Sequence, residues 1–341
     1  MSDENIALSA AGLVTSVGQT MPSACAAIRA KLANPGETRY IGAHGSWLVG
    51  HMVALDRPFG ALTKLVKMAA MAIEEALDAV PRSEWDRVPL LMCVAESDRP
   101  GRLDGLDTRL VAELQRELGT PFGAGSALVA HGRVGIAHAL ARARRLLYDH
   151  RLPYVLIAAT DSYLCWPTLR HYEAADRLLG RRNSNGFLPG EGAGALLVSR
   201  PKAGDLICTG IGFGTEPAPI GSDEPLRADG LTTAINSALR DARRAMQDMD
   251  FRIADLSGEH YYFKEATLAL SRTLHVRKER FDIWHPAECT GEVGAVAGVT
   301  MLALANWAGR KGYSEGRTAL LHMGTDAGER AALTVSLGEI R

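Results

Sequence analysis

The sequence lacks any apolar run of membrane-spanning length. Its hydrophobic stretches are short, as in VLIAA at 155–159, far below the ~20 residues that cross a bilayer. Cysteine is scarce and odd in number: the five lie at 25, 93, 165, 208 and 289, with no C-x-x-C pair. That spacing excludes a cysteine-based zinc module and a disulfide framework, and it points to a reducing, cytoplasmic compartment. Cys93 and Cys208 stand in apolar, strand-like segments and read as buried thiols. There is no basic excess either. Lys and Arg number 38 against 39 Asp and Glu, for a net charge of -1, so no electrostatic footprint for nucleic acid exists. Arg142, Arg144 and Arg145 form a local basic run that reads as a solvated helix face. The first residues are acidic where a secretory leader is basic. Neither a cofactor nor a metal is expected.

What is present is an ordinary globular balance, 47% hydrophobic and 23% charged, over 341 residues. That length suits two domains or one duplicated unit and buries a core without staples. Strand-like segments are expected near 6–11, 88–95, 127–130, 154–160, 193–199, 206–211, 319–323 and 331–337. Helical patterns fill 22–31, 62–80, 106–118, 134–148, 232–247, 263–273 and 293–308. Residues 35–60 read as irregular or short-stranded. Residues 154–160 are apolar on both faces, as in a sheet covered by helices on both sides. The alternation predicts an α/β architecture with largely parallel central strands. The Pro/Gly-rich stretch 212–225 marks the expected boundary, giving halves at 1–210 and 211–341.

Three segments, in order, resemble β-ketoacyl synthases of the thiolase superfamily. AGLVTSVG (11–18) followed by AIRA (27–30) is similar to the synthase opening. GFLPGEGAGALLV (186–198) resembles the GF…GEGAG motif, the most specific of the three. TGEVGAVAG (290–298) resembles the TGHxxGAAG loop. Between the first two, GSALVAHGRVGIAHALARA (125–143) occupies the place where synthases carry their nucleophile. The resemblance implies a thiolase-like fold: two similar halves, mixed five-stranded sheets, and five αβαβα layers, normally paired as a dimer. Glu191, set among the GEGAG glycines, would need a partner once buried.

The same resemblance places the family's Cys–His–His triad on residues that cannot perform its chemistry. The nucleophile position falls at Gly132, beside His131. His131 reads either as a polar group lining the remnant pocket or as a hydrogen-bonded buried or interface histidine. The first family histidine corresponds to the strand end at 253–262, where His260 stands out of register and Asp255, Ser257 and Glu259 form a polar loop. Asp255 or Ser257 capping a turn is the plainer reading of that loop. The second family histidine is replaced by Glu292, an acceptor-only group when ionised, and the family lysine by Ala287. The C-terminal synthase loop is represented by residues 324–328. Cys289, flanked by Glu288 and Glu292, is a possible relocated nucleophile whose neighbours would raise its pKa. His131 and Glu292 are expected to face one cavity, and a cysteine restored at Gly132 is expected to be alkylated but not to condense.

Two functions are in competition. One is a non-condensing binding, scaffold or partner subunit, for which synthase-like chain-length factors are the family precedent. The chain also resembles synthase-like proteins found near bacterial type VI secretion genes, which share a strand ending like 255–259. The other is an acyltransferase or acyl-thioester-processing enzyme with rearranged residues. Expected partners are a second copy, a related thiolase-fold chain, and an acyl carrier protein or acyl-CoA. A solvent-open pocket between 130–133, 255–260 and 288–292 would favour chemistry; side chains filling it would favour a scaffold.

Overall fold

The computed structural model describes residues 4–337. Residues 1–3 and 338–341 of the expected halves lie outside the described residues. The first group of elements is β1 (Ile6–Val14), α1 (Met21–Arg29), β2 (Gly36–Ile41), β3 (Trp47–Gly50), α2 (Ala61–Ala76), β4 (Leu90–Cys93), α3 (Leu110–Leu118), β5 (Ala127–Val129), α4 (Gly135–Tyr148), β6 (Tyr154–Ser162), α5 (Trp166–Ala174) and β7 (Glu191–Ser199). The second is β8 (Leu206–Thr215), α6 (Asp229–Asp241), β9 (Phe251–Ala254), α7 (His260–Thr273), β10 (Ile283–Trp284), α8 (Ala287–Thr290), α9 (Ala297–Arg310), β11 (Thr318–Gly324) and β12 (Glu329–Leu337).

Ten strands form one sheet in the order β10-β9-β11-β12-β8-β1-β7-β6-β4-β5. Within each group of five the order is the same: third, second, fourth, fifth, first. The two groups meet where Ile6, Ala7 and Leu8 pair with Cys208, Ile207 and Leu206. This internal repeat is the architecture the resemblance implied. The strands are mixed rather than largely parallel. β4 is parallel to β5 and β6, and β9 to β10 and β11, whereas β1, β7, β8 and β12 pair antiparallel. Alternating patterns cannot distinguish the two cases, because strands covered on both faces read as continuous apolar runs either way. Residue 210 lies inside β8, so we propose that the halves divide in the connection at 200–205 instead of at 210/211.

Burial assigns the layers. Val155, Ile157 and Ala159 of β6 pack with α1, α4 and α9 in the central core, while Leu156 and Ala158 face α2 and α3. In the second half Leu321 of β11 faces the same central layer and Leu320 faces α6. The result is helix, sheet, helix, sheet, helix. α4 and α9 sit in the middle, each launched from a short turn at 132–134 or 294–296. Among the described residues no helix is long and apolar enough to cross a membrane.

Candidate functional site

The two central helices begin alike. Gly132 (φ 49°) and Gly294 (φ 55°) both hold left-handed backbone ahead of their helices. Each also leaves no room for a Cβ. At Gly132 it would lie 2.0 Å from Glu96 Oε2, and at Gly294 2.0 Å from Asp161 Oδ2. Both carboxylates belong to one buried cluster. Arg99 donates through Nη1 to Asp161 at 2.8 and 2.7 Å and through Nη2 to Glu96 at 2.5 Å. Asp161 also accepts from Ala295 N at 2.9 Å.

Arg133 takes the interior position. It falls in register with Ile136, Ala137 and Leu140, the buried stripe of α4, and is only 3% exposed. Its guanidinium reaches Glu292 Oε2 (3.2 Å), Asp326 Oδ1 (2.8 Å), the Tyr262 hydroxyl (2.7 Å) and, more distantly, Asp255 Oδ2 (3.8 Å). Arg177 extends the network, gripping Glu259 at 2.7 and 2.8 Å and Asp326 at 2.7 and 3.2 Å. Burial alone would push the Arg133 pKa down; Tyr262, Glu292, Asp326 and Asp255 more than reverse this, and it stays charged. Asp326 pays a burial penalty too, yet Arg133 and Arg177 hold it well below the usual carboxylate range. Asp255 goes the other way: burial pushes it up to about 6, against the pull of Arg133 and of the Gly324 N–H.

Glu292 is buried, and its other oxygen accepts from Gly294 N at 2.9 Å. Its backbone is locked onto the GEGAG segment: Glu292 N donates to Leu188 O (2.8 Å), and Gly190 N to Glu292 O (2.9 Å). A Cβ at Gly190 would stand 2.4 Å from Thr290 O, which explains a glycine there. Two of the sequence landmarks therefore meet directly. Glu191 finds the partners it required: Lys64, Val53 N at 3.0 Å and Ser162 Oγ at 3.1 Å.

The void beside Glu292, bounded by Asp255, Ala287 and Thr290, measures about 10 Å³. That is room for at most one water. His131 does not line it. Its side chain, 45% exposed, turns to Glu329 Oε2 at 3.2 Å, so the expected shared cavity of His131 and Glu292 is absent. The reason is helical register, which sends residue 133 inward. His260 is exposed at the first turn of α7, where its N–H donates to Asn185 Oδ1 at 2.7 Å. Cys289 is buried toward Ile28 O of α1, and burial with Glu288 raises its pKa, against the weaker pull of Lys31. Asp255 accepts from Gly324 N at 3.0 Å, while the Ser257 hydroxyl is buried without a partner. Burial pushes the thiols of Cys25, Cys93 and Cys208 up to about 12.

Arg133 and Arg177 were missed in the sequence, although Arg133 left a trace: a charged residue in the apolar stripe of a central helix. A second, roomier cavity was also missed. It measures about 590 Å³ and lies between the 52–59 segment, α2 and the 95–106 loop. Leu55, Phe59, Leu103 and Leu164 line it, the Lys64–Glu191 and Arg99–Asp161 pairs form charged parts of its wall, and Cys165 borders it.

Asp255→Asn provides a pH test of this electrostatic arrangement. The amide keeps an acceptor for Gly324 N. Because the folded pKa of about 6 exceeds the unfolded ~3.9, folded protein binds the extra proton in that window, and Asp255 costs stability as pH rises from 4 to 6. Relative to the parent, the variant should therefore gain ~2 kcal/mol between pH 4 and pH 7. Urea midpoints across that range would measure it, and a pH-independent difference would refute the assignment.

No family model matches the chain, and no curated protein matches it. Solved ketosynthase structures do. The chain matches a ketosynthase from a type II polyketide synthase, AntDE in complex with the acyl-carrier protein AntF and bound to the hexaketide, at TM-score 0.82 and 15% identity, over 98% of this chain and 100% of that one. It matches the ishigamide ketosynthase/chain length factor at 0.79 and 17%, over 98% and 100%. The ketosynthase ApeO in complex with its chain length factor ApeC, from Xenorhabdus doucetiae, matches at 0.79 and 12%, over 98% of both chains. The chain has the thiolase-like fold of these structures.

Proposed function

We propose that this chain is a ketosynthase-like subunit that does not condense acyl groups and acts by binding, as a partner or scaffold. One observation carries the reading. The place where the resemblance converges its triad is filled by the buried Arg133 guanidinium, held by Glu292 and Asp326 with Asp255 beside it. A guanidinium locked among carboxylates offers neither a nucleophile nor a general base, and the residual void of about 10 Å³ cannot admit a thioester arm. Purified protein offered acyl thioesters should remain unmodified.

The partner we propose is a second thiolase-fold chain, identical or related, as in the ketosynthase–chain length factor complexes that the fold matches. β5 supports this. It is one of the two edge strands of the sheet and is paired on one side only, by β4, so its free edge can add a counterpart across a two-fold axis. We expect a dimeric mass by light scattering at micromolar concentration. Leu128→Pro, which removes a backbone donor from that edge, should shift it to monomer. A monomeric parent would overturn the pairing. An acyl carrier protein is proposed as a further partner, and the five unpaired thiols support a cytoplasmic setting.

A further inference from the structure

We propose that His131, His138 and Glu329 form a binding site for one divalent transition-metal ion, of which zinc is the reference case, linking the two halves of the fold. One ligand atom from each of the three lies within 4.8 Å of the others. Glu329 Oε1 is 2.6 Å from His138 Nε2, and Oε2 is 3.2 Å from His131 Nδ1. Ligand atoms at zinc bond lengths of ~2.1 Å stand about 3.0–3.4 Å apart at octahedral or tetrahedral angles, so the two histidine–glutamate separations are close to what an ion needs, and rotation of the stacked rings about χ1 and χ2 would bring both lone pairs onto it.

The two imidazoles stack with centroids 4.0 Å apart at 24° and converge on a single carboxylate. A dication takes a lone pair from each ring and the carboxylate charge at once. The supports are rigid. His138 lies on central helix α4, with its ring against Phe213 at 4.6 Å. Glu329 opens β12, where Thr325 Oγ1 accepts from its backbone N–H at 3.1 Å. The side chains are 45%, 30% and 34% exposed, which leaves an approach for the ion and open positions for water. Two ligands come from the first half and one from the second, from three separate segments. No C-x-x-C or H-x3-H spacing announces such a site, which is why composition and motif reading excluded zinc.

The inference does not depend on the reading of the Arg133 cluster. Its test is calorimetric titration of chelator-treated full-length protein with zinc chloride at neutral pH, with cobalt(II) as a spectroscopic probe. Binding of one ion per chain is expected, with a visible cobalt band and a zinc-dependent rise of several degrees in Tm. His138→Ala and Glu329→Gln should each weaken zinc at least tenfold and abolish the Tm rise, whereas His44→Ala, at an exposed histidine outside the cluster, should change neither. His131→Gln, at the most exposed ligand, gives a third variant whose fold is least at risk; circular dichroism of each metal-free variant confirms folding. Absence of stoichiometric binding, or binding indifferent to all three ligand variants, would overturn the site.

Discussion

Arg133→Ala should lower the free energy of unfolding by about 3–5 kcal/mol, the cost of removing one partner from a buried ionic cluster. The wild-type side chain is 3% exposed and faces Glu292, Asp326 and Asp255. Without it, the Glu292 carboxylate is left with the Gly294 N–H, and Asp326 depends on Arg177 and the tyrosines Tyr172 and Tyr262. Against a typical total stability of ~5–15 kcal/mol, that is a large share. The deficit should shrink as pH falls from 8 to 5, because carboxylates left unpaired protonate more readily than they did beside a cation. Arg133→Met should behave similarly, and adding Glu292→Gln to it should recover part of the loss, since it removes an uncompensated buried charge. Urea unfolding of the three variants at two pH values measures all of this. A loss under ~1 kcal/mol for Arg133→Ala would mean that the cluster is solvated or rearranged and that the site is not plugged.

Incubation with acyl-CoA or acyl-carrier protein should give no covalent acyl-enzyme, and malonyl thioester should be consumed only at the uncatalysed rate. Condensation needs acyl transfer to a thiolate and then decarboxylative attack. By the resemblance, Gly132 supplies no nucleophile for the first step, and Glu292 and Ala287 no donor for the second. Removing residues that act as a unit typically costs on the order of 10⁴–10⁶ in rate, so no measurable remainder is expected. Intact-mass spectrometry and a malonyl release assay decide. A stoichiometric adduct lost in Cys289→Ala would make that buried thiol the nucleophile and overturn the non-condensing reading. One lost in Cys165→Ala would move the chemistry to the cavity of about 590 Å³. The structure also revises the expectation for Gly132→Cys. A new Cβ there meets the Glu96 carboxylate at 2.0 Å, so the thiol must displace Glu96 from Arg99. Alkylation of Gly132→Cys should be slow, and faster when Glu96→Ala is added, with condensation absent in both.

The sequence by itself determined the layered α/β fold, because patterning and backbone freedom are local properties. Strands apolar on both faces such as 154–160 and the Ala-rich central helix from 135 follow from residues near one another in the chain. It also marked Gly132 and Glu292 as unusual. What it could not decide was how charges separated by eighty residues or more pair. Arg133 meets Glu292 and Asp326 only because α4 and the β11–β12 turn are brought together by the stacked halves, and Arg177 meets Glu259 only across them. Of the two readings the sequence left open for His131, pocket-lining group or hydrogen-bonded histidine, helical register decided by turning it outward to Glu329 and sending Arg133 inward. Tertiary structure made these choices because a buried charge is tolerable only where the whole fold supplies its counter-charge.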